Sequence, residues 1–139
     1  SHQLFSEPKS SVEESEFSLA NTLAGHSDSV WSVAINPDGQ ILASGSEDKT
    51  IKIWSLGDGK LLRTITGHSD TVRSVAISGD GQVLASGSGD KTIKLWRLDT
   101  GELLHTLTGH TGPVWSVAIS GDGQTLASSS DDDTIKVWS

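Results

Sequence analysis

A chain of 139 residues, 34% hydrophobic and 20% charged, is long enough for about one domain and apolar enough for a modest core. Its net charge of −8, with ten Lys and Arg scattered among acids, leaves no basic patch for a phosphate backbone, so nucleic acid is not an expected partner. No apolar run approaches the roughly 18 residues of a membrane span, and the absence of cysteine excludes disulfides and thiolate metal sites.

In chain order, the opening Ser1-His2-Gln3 lacks a charged-then-apolar signal pattern and reads as a processed remnant. Cytoplasm is the default location, and no membrane partner is expected. Between Glu7 and Glu16 stand four Glu against one Lys. Residues 1–16 are expected to form a disordered acidic tail, with Leu4-Phe5 as a candidate docking stub. Residues 17–24 contain the apolar stretch "LANTLA", from Leu19 to Ala24.

From Gly25 the pattern becomes that of short strands. "VWSVAI" (Val30 to Ile35) is β-branched and apolar. It ends at "NPDG", with Pro and Gly where a turn wants them. "QILASGS" is a second strand, followed by the polar turn "EDK". "TIKIWSL" is a third, with Thr50, Lys52 and Trp54 on one side and Ile51 and Ile53 on the other. After "GDG" comes a fourth, "KLLRTIT". Helical periodicity is absent.

The unit then repeats. Gly25, Gly67 and Gly109 are 42 residues apart, as are Asp48, Asp90 and Asp132 and Trp54, Trp96 and Trp138. Residues 25–66 and 67–108 agree at 29 of 42 positions, which points to recent duplication or engineering. A period near 42 suits a four-stranded propeller blade. Lys52, Lys94 and Lys136 recur in the third strand, where charge discourages edge pairing.

The Gly-His pair, the Asp six residues before Trp, and the Trp itself resemble the WD40 family over residues 19–139. The residue after Trp is Ser55, Arg97 or Ser139 in place of the Asp that names the motif. The resemblance implies an all-β fold of four-stranded antiparallel blades, three per chain. The repeats then run over 25–66, 67–108 and 109–139, the third lacking its own outer strand. The resemblance also implies a structural tetrad in each copy: His26, Ser44, Asp48 and Trp54; His68, Ser86, Asp90 and Trp96; His110, Ser128, Asp132 and Trp138. The physical reason stands by itself: a buried indole N–H, imidazole and carboxylate each need a partner, and one closed network satisfies all three.

His, Ser and Asp also compose a hydrolytic triad, but an active site has no reason to recur every 42 residues, and no Gly-x-Ser-x-Gly elbow is present. "GSGDKT" (Gly87 to Thr92) lacks the spacing and helix of a phosphate loop. His105 and His110 are badly spaced for zinc. "DDD" (Asp131 to Asp133) lacks the Gly and distal Glu of a calcium loop. No enzyme activity, metal or cofactor is expected.

Propellers use about 4–8 blades, so three copies do not close a ring. Leu19 aligns with Leu61 and Leu103, Thr22 with Thr64 and Thr106, and Leu23 with Ile65 and Leu107. Residues 17–24 are therefore expected to be an outer strand that completes the last blade of a neighbouring copy. There Leu19, Thr22 and Leu23 meet the third strand, Thr134 to Ser139, at Thr134, Ile135 and Val137. The expected partner is the chain itself, joined head to tail into a closed ring. Three chains and nine blades are preferred over two chains and six, because a small ring crowds the channel mouth.

Trp31, Arg73 and Trp115 share one repeat position, which the family resemblance places near that mouth. Ser29 and Thr71, with Pro113 in the third copy, and Glu47 and Asp131 fall on the same face. Trp and Arg are favoured interface anchors, so this face is the candidate site for a peptide or protein. The expected function is a non-enzymatic building block that self-assembles; the alternative is a partner-binding adaptor scaffold.

Overall fold

A computed structural model describes residues 16–139. Apart from Glu16, the tail expected for residues 1–16, with its Leu4-Phe5 stub, lies outside the described residues. Each run of β-branched and apolar residues becomes a strand, and each Gly-containing polar stretch a turn. Strands β1 (Val30–Ile35), β2 (Ile41–Ser46), β3 (Ile51–Ser55) and β4 (Leu61–Ile65) form one antiparallel sheet in that order. Strands β5 (Val72–Ile77), β6 (Val83–Ser88), β7 (Ile93–Arg97) and β8 (Leu103–Leu107) form a second. The third sheet has three strands, β9 (Val114–Ile119), β10 (Leu126–Ser130) and β11 (Ile135–Trp138). Among the described residues no helix is long and apolar enough to cross a membrane.

The turns follow the chemistry of their residues. In "NPDG" the Gly39 N–H donates to the Asn36 carbonyl at 2.9 Å, and Gly39 takes φ +76°, which costs a residue without Cβ nothing. The β2–β3 turn contains a less expected feature. Lys49, Lys91 and Asp133 adopt φ of 75°, 75° and 70°, in the left-handed region that L side chains disfavour. The same strain at the same place in three copies indicates that the surrounding hydrogen bonds dictate it.

The apolar cores lie between the sheets. Ala43, Ile51, Ile53 and Ile65 of the first blade pack with Val72, Val75, Leu84, Trp96 and Leu98 of the second. Ala85 and Ile93 of the second pack with Val114, Val117 and Leu126 of the third. Close approach dictates glycine in the second strand: a Cβ on Gly45 would stand 2.7 Å from Val72 Cγ1, and one on Gly87 2.7 Å from Val114 Cγ1. The third copy has Ser129 at this position, on the face with no following blade.

The outward faces differ accordingly. Val33 is 59% exposed in the first blade, whereas its counterparts Val75 and Val117 are 6% exposed. Ile135 and Val137 of β11 are 74% and 70% exposed, against 1% and 0% for Ile51 and Ile53 of β3.

One expectation needs revision, and another concerns a second copy. Lys52 and Lys94 do not guard an edge, because β3 and β7 are paired on both sides. Their Nζ atoms instead donate to Thr64 Oγ1 (2.9 Å) and Thr106 Oγ1 (3.0 Å) of the outer strand. Residues 17–24 are not a strand within this chain. A strand requires a ladder partner, and within the described residues these have none.

Candidate functional site

The Gly-His dipeptide enters each blade just ahead of its inner strand, and a Cβ on Gly25 would meet Trp54 Cη2 at 2.8 Å. Glycine therefore lets the chain lie against the indole, which delivers the following histidine into the blade. His26 Nδ1 stands 2.8 Å from Asp48 Oδ2, and His26 Nε2 2.6 Å from Ser44 Oγ. A carboxylate only accepts, which assigns the imidazole proton to Nδ1. Nε2 then accepts the Ser44 hydroxyl, whose oxygen accepts the Trp54 Nε1–H at 2.9 Å. The structure thus brings His26, Ser44, Asp48 and Trp54 into one chain of hydrogen bonds.

The second blade repeats it. His68 lies 2.8 Å from Asp90 and 2.7 Å from Ser86, and Trp96 Nε1 donates to Ser86 at 2.8 Å. In the third, His110 lies 2.8 Å from Asp132 and 2.7 Å from Ser128, and Trp138 donates at 3.0 Å.

Two recurring residues enlarge the network, and Thr134, expected at the closing seam, serves here instead. Thr50 donates to Asp48 Oδ1 through both its backbone N–H (2.9 Å) and its hydroxyl (2.6 Å), and Thr92 and Thr134 do the same for Asp90 and Asp132. Ser46 Oγ accepts from the Asp48 N–H at 3.0 Å and donates to the Ser29 carbonyl at 2.8 Å. The same 42-residue spacing marks both, but Ser and Thr are common in turns and their type alone does not signal the role.

This environment fixes the charge on each Asp. Burial by itself pushes the Asp48 carboxyl up, but hydrogen bonds from Thr50, His26 and the Ser27 N–H outweigh it and hold the group well below the usual carboxylate range. Burial likewise opposes ionisation of Asp90 and is overcome by the His68 and Thr92 hydrogen bonds. At Asp132 the Thr134 hydroxyl is the leading influence and lowers it, burial opposes it, and His110 adds to the lowering.

Chemically, this arrangement fastens; it does not attack. Ser44, Ser86 and Ser128 are 3%, 0% and 2% exposed, and each hydroxyl is engaged by an indole and an imidazole. The network joins the loop before the inner strand to the β2–β3 turn and to the third strand. Among the described residues no group of three or more His, Asp or Glu could hold a metal ion.

A second constellation crosses the blades. The Arg73 guanidinium lies 4.2 Å from the Trp115 ring centroid and 5.8 Å from that of Trp31, a cation–π ladder over three blades. Glu47 accepts the Trp31 indole N–H at 3.1 Å, and Asp131 that of Trp115 at 3.3 Å. Trp31 is 50% and Trp115 45% exposed. Ser29, Glu47 and Asp131 are also exposed. Thr71 is not available to a partner: it is buried at 8%, because the middle blade is flanked on both sides. Arg73 Nε is buried with no hydrogen-bond partner.

The placement of residues 17–24 is informative. A Cβ on Gly101, in the β7–β8 turn, would meet Arg63 and Ile65 of β4, the outer strand of the preceding blade. A Cβ on Gly59, in the β3–β4 turn, would meet Asn21 and Leu23. Asn21 and Leu23 lie 42 residues before Arg63 and Ile65. The N-terminal segment therefore lies along the first blade as β4 lies along the second.

Two four-stranded antiparallel sheets and one of three strands, with their cores between them and a His–Ser–Asp–Trp network in each, define blades of a β-propeller. The profile of the "WD domain, G-beta repeat" family matches residues 17–55, 59–97 and 101–139. This chain belongs to the WD40 repeat family. It is 54% identical over 44 residues to the small ribosomal subunit protein RACK1 of Medicago sativa, covering 32% of this chain and 14% of that protein. It is 59% identical over 50 residues to the vegetative incompatibility protein HET-E-1 of Podospora anserina, covering 35% of this chain and 4% of that protein. Among solved structures it resembles the WD40 repeats of RRP9, with a TM-score of 0.81 and 36% identity over 84% of this chain and 37% of that one. A structure of U3-55K aligns with the same values. The chain therefore spans well under half the length of these relatives.

Proposed function

We propose that the chain is a non-enzymatic propeller building block whose copies join head to tail into a closed ring and present an interaction face at the channel mouth. One observation carries the assembly: the segment Leu19–Ala24 lies along the first blade in the manner of an outer strand, and among the described residues it has no strand partner and β11 has no outer strand beside it. The in-chain ladders give the register. Ile51 pairs with Ile65, Lys52 with Thr64, Ile53 with Arg63 and Trp54 with Leu61. By the 42-residue period, Ile135 pairs with Leu23 of a second copy, Lys136 with Thr22, Val137 with Asn21 and Trp138 with Leu19. Among the described residues Lys136 makes no side-chain hydrogen bond, and Thr22 of a second copy offers the partner that Lys52 and Lys94 already have.

Burying the exposed parts of Ile135, Val137, Val30 and Val33, which are 74%, 70%, 52% and 59% exposed, supplies roughly 4–8 kcal/mol per seam. This competes with an association cost of about 4–15 kcal/mol, so losing one of the four changes the assembly state. Three copies leave more room around the mouth for Trp31, Arg73 and Trp115 than two. Light scattering on a size-exclusion peak is expected to give three times 14.6 kDa at every concentration. Ile135→Lys changes a residue already 74% exposed, so it leaves the fold intact and lowers the mass to 14.6 kDa. A folded monomer for the unaltered chain at all concentrations overturns the assembly.

The exposed Trp31–Arg73–Trp115 ladder, rimmed by Glu47 and Asp131, supports a second reading as a docking face for a peptide or protein. Trp31→Ala should abolish capture of such a partner and leave the mass unchanged. Equal capture by the variant removes this face from consideration.

A further inference from the structure

The middle blade breaks the repeat at the channel mouth. In the first and third blades a Trp indole N–H is accepted by the residue just before the network Asp, Glu47 at 3.1 Å and Asp131 at 3.3 Å. In the middle blade both members change together: Arg73 replaces the Trp and Gly89 replaces the acid. The cation therefore stands where its own blade offers no carboxylate at the matching position. Asp70 lies against Gly89, but its Oδ1 accepts the Thr71 N–H at 2.7 Å and it forms no ion pair with Arg73. Among the described residues Arg73 makes no hydrogen bond; its Nε is buried without a partner, and its Nη atoms are not sealed in. Strand β5 has β1 on one side and β9 on the other, so both blades that flank Arg73 are present.

We infer that this face takes a peptide segment in which one Asp or Glu is flanked on each side by Lys or Arg. The inference rests on the docking reading of the face proposed above and supplies the partner's chemistry. The three blades present acid, cation and acid in turn: Glu47, Arg73 and Asp131. A basic–acidic–basic segment is the complement of that order. A uniformly acidic segment meets Glu47 and Asp131, and a uniformly basic one meets Arg73. The central carboxylate accepts from the Arg73 Nη atoms and gives a guanidinium partly withdrawn from water the acceptor it lacks. The flanking cations reach Glu47 and Asp131 and lie against the open faces of Trp31 and Trp115, which are 50% and 45% exposed. A phosphate carries nearly twice the charge and is repelled more strongly by the two rim acids, so the central anion is a carboxylate.

The indole N–H signals of Trp31 and Trp115 report binding directly, read by NMR on the full chain. Three capped heptapeptides serve as probes, alike except for a central Lys-Glu-Lys, Lys-Gln-Lys or Glu-Lys-Glu. The Lys-Glu-Lys peptide is expected to move both signals and to bind about fivefold or more tightly than the other two. Arg73→Gln should remove that preference. So should Gly89→Glu, which supplies the internal acid that the other two blades carry. Unmoved indole signals of Trp54, Trp96 and Trp138 verify that each variant keeps the fold. If Lys-Gln-Lys binds as tightly as Lys-Glu-Lys, or Arg73→Gln keeps the preference, the face docks peptides but the carboxylate assignment is wrong. If Glu-Lys-Glu binds best, the charge order is wrong. If no peptide moves either signal, the docking face itself is wrong and the assignment falls with it.

Discussion

Replacing Ser86 with Ala removes one hydroxyl from the middle of the molecule. That hydroxyl accepts the Trp96 indole N–H at 2.8 Å and faces His68 Nε2 at 2.7 Å. Trp96 is 2% and His68 7% exposed, so water does not replace it. Two buried polar groups lose their partner, at about 1–3 kcal/mol each, and partial relaxation leaves an expected loss of roughly 2–5 kcal/mol. For a chain of this size that is a fall in Tm of roughly 6–20 °C. Urea unfolding followed by tryptophan fluorescence measures it, with exposed Ser69→Ala as a control expected to stay within about 0.5 kcal/mol. Trp96→Phe keeps most of the packing and removes only the donor. In the double variant the two losses should fall short of additive by about 1 kcal/mol or more, as for residues sharing one network. A Ser86→Ala loss below about 0.5 kcal/mol, or strict additivity, would refute the view that this network holds the blade together.

Four further outcomes follow from the same geometry. Asp48, Asp90 and Asp132 titrate below their unfolded values; their stabilisation is complete above about pH 4 and is lost as pH falls from there toward the lowered folded values. The urea midpoint should therefore decline through that acid range, and less steeply in Asp90→Asn. Lys91 has φ 75°, so Lys91→Val should destabilise by about 1–2 kcal/mol while Lys91→Gly does not, measured by thermal melts. A Cβ on Gly87 meets Val114 and Val117 at 2.7 and 3.0 Å, so Gly87→Ala should cost about 1–3 kcal/mol. Under the proposed assembly, Ser129→Gly, at the same repeat position on the outer face, should instead lower the concentration at which copies dissociate, read by light scattering on dilution.

The 42-residue period made most of the fold readable, because strand alternation, turn residues and the His, Ser, Asp and Trp positions all recur with it. What escaped was whatever depends on neighbours. Thr71 and Ser29 occupy one repeat position, yet Thr71 is buried and Ser29 exposed, since only the middle blade is flanked twice. Lys52 looked like an edge charge until the outer strand placed Thr64 beside it. The left-handed lysines had no compositional sign, because Asn or Gly would be the usual residue there. They are held by the hydrogen bonds of Asp48 and Thr50 around them.

Cores placed between blades also determine how the molecule comes apart. No sheet has an apolar interior to itself, so the free energy of each is lent by its neighbours, and only the middle blade has one on both sides. In an isolated chain, amide protons of β5, β6 and β7 should be the last to exchange, and opening should fray inward from β1 and β11. Under the proposed assembly, protection of the two outer blades would rise with protein concentration, and their local stability would gauge how many copies have met.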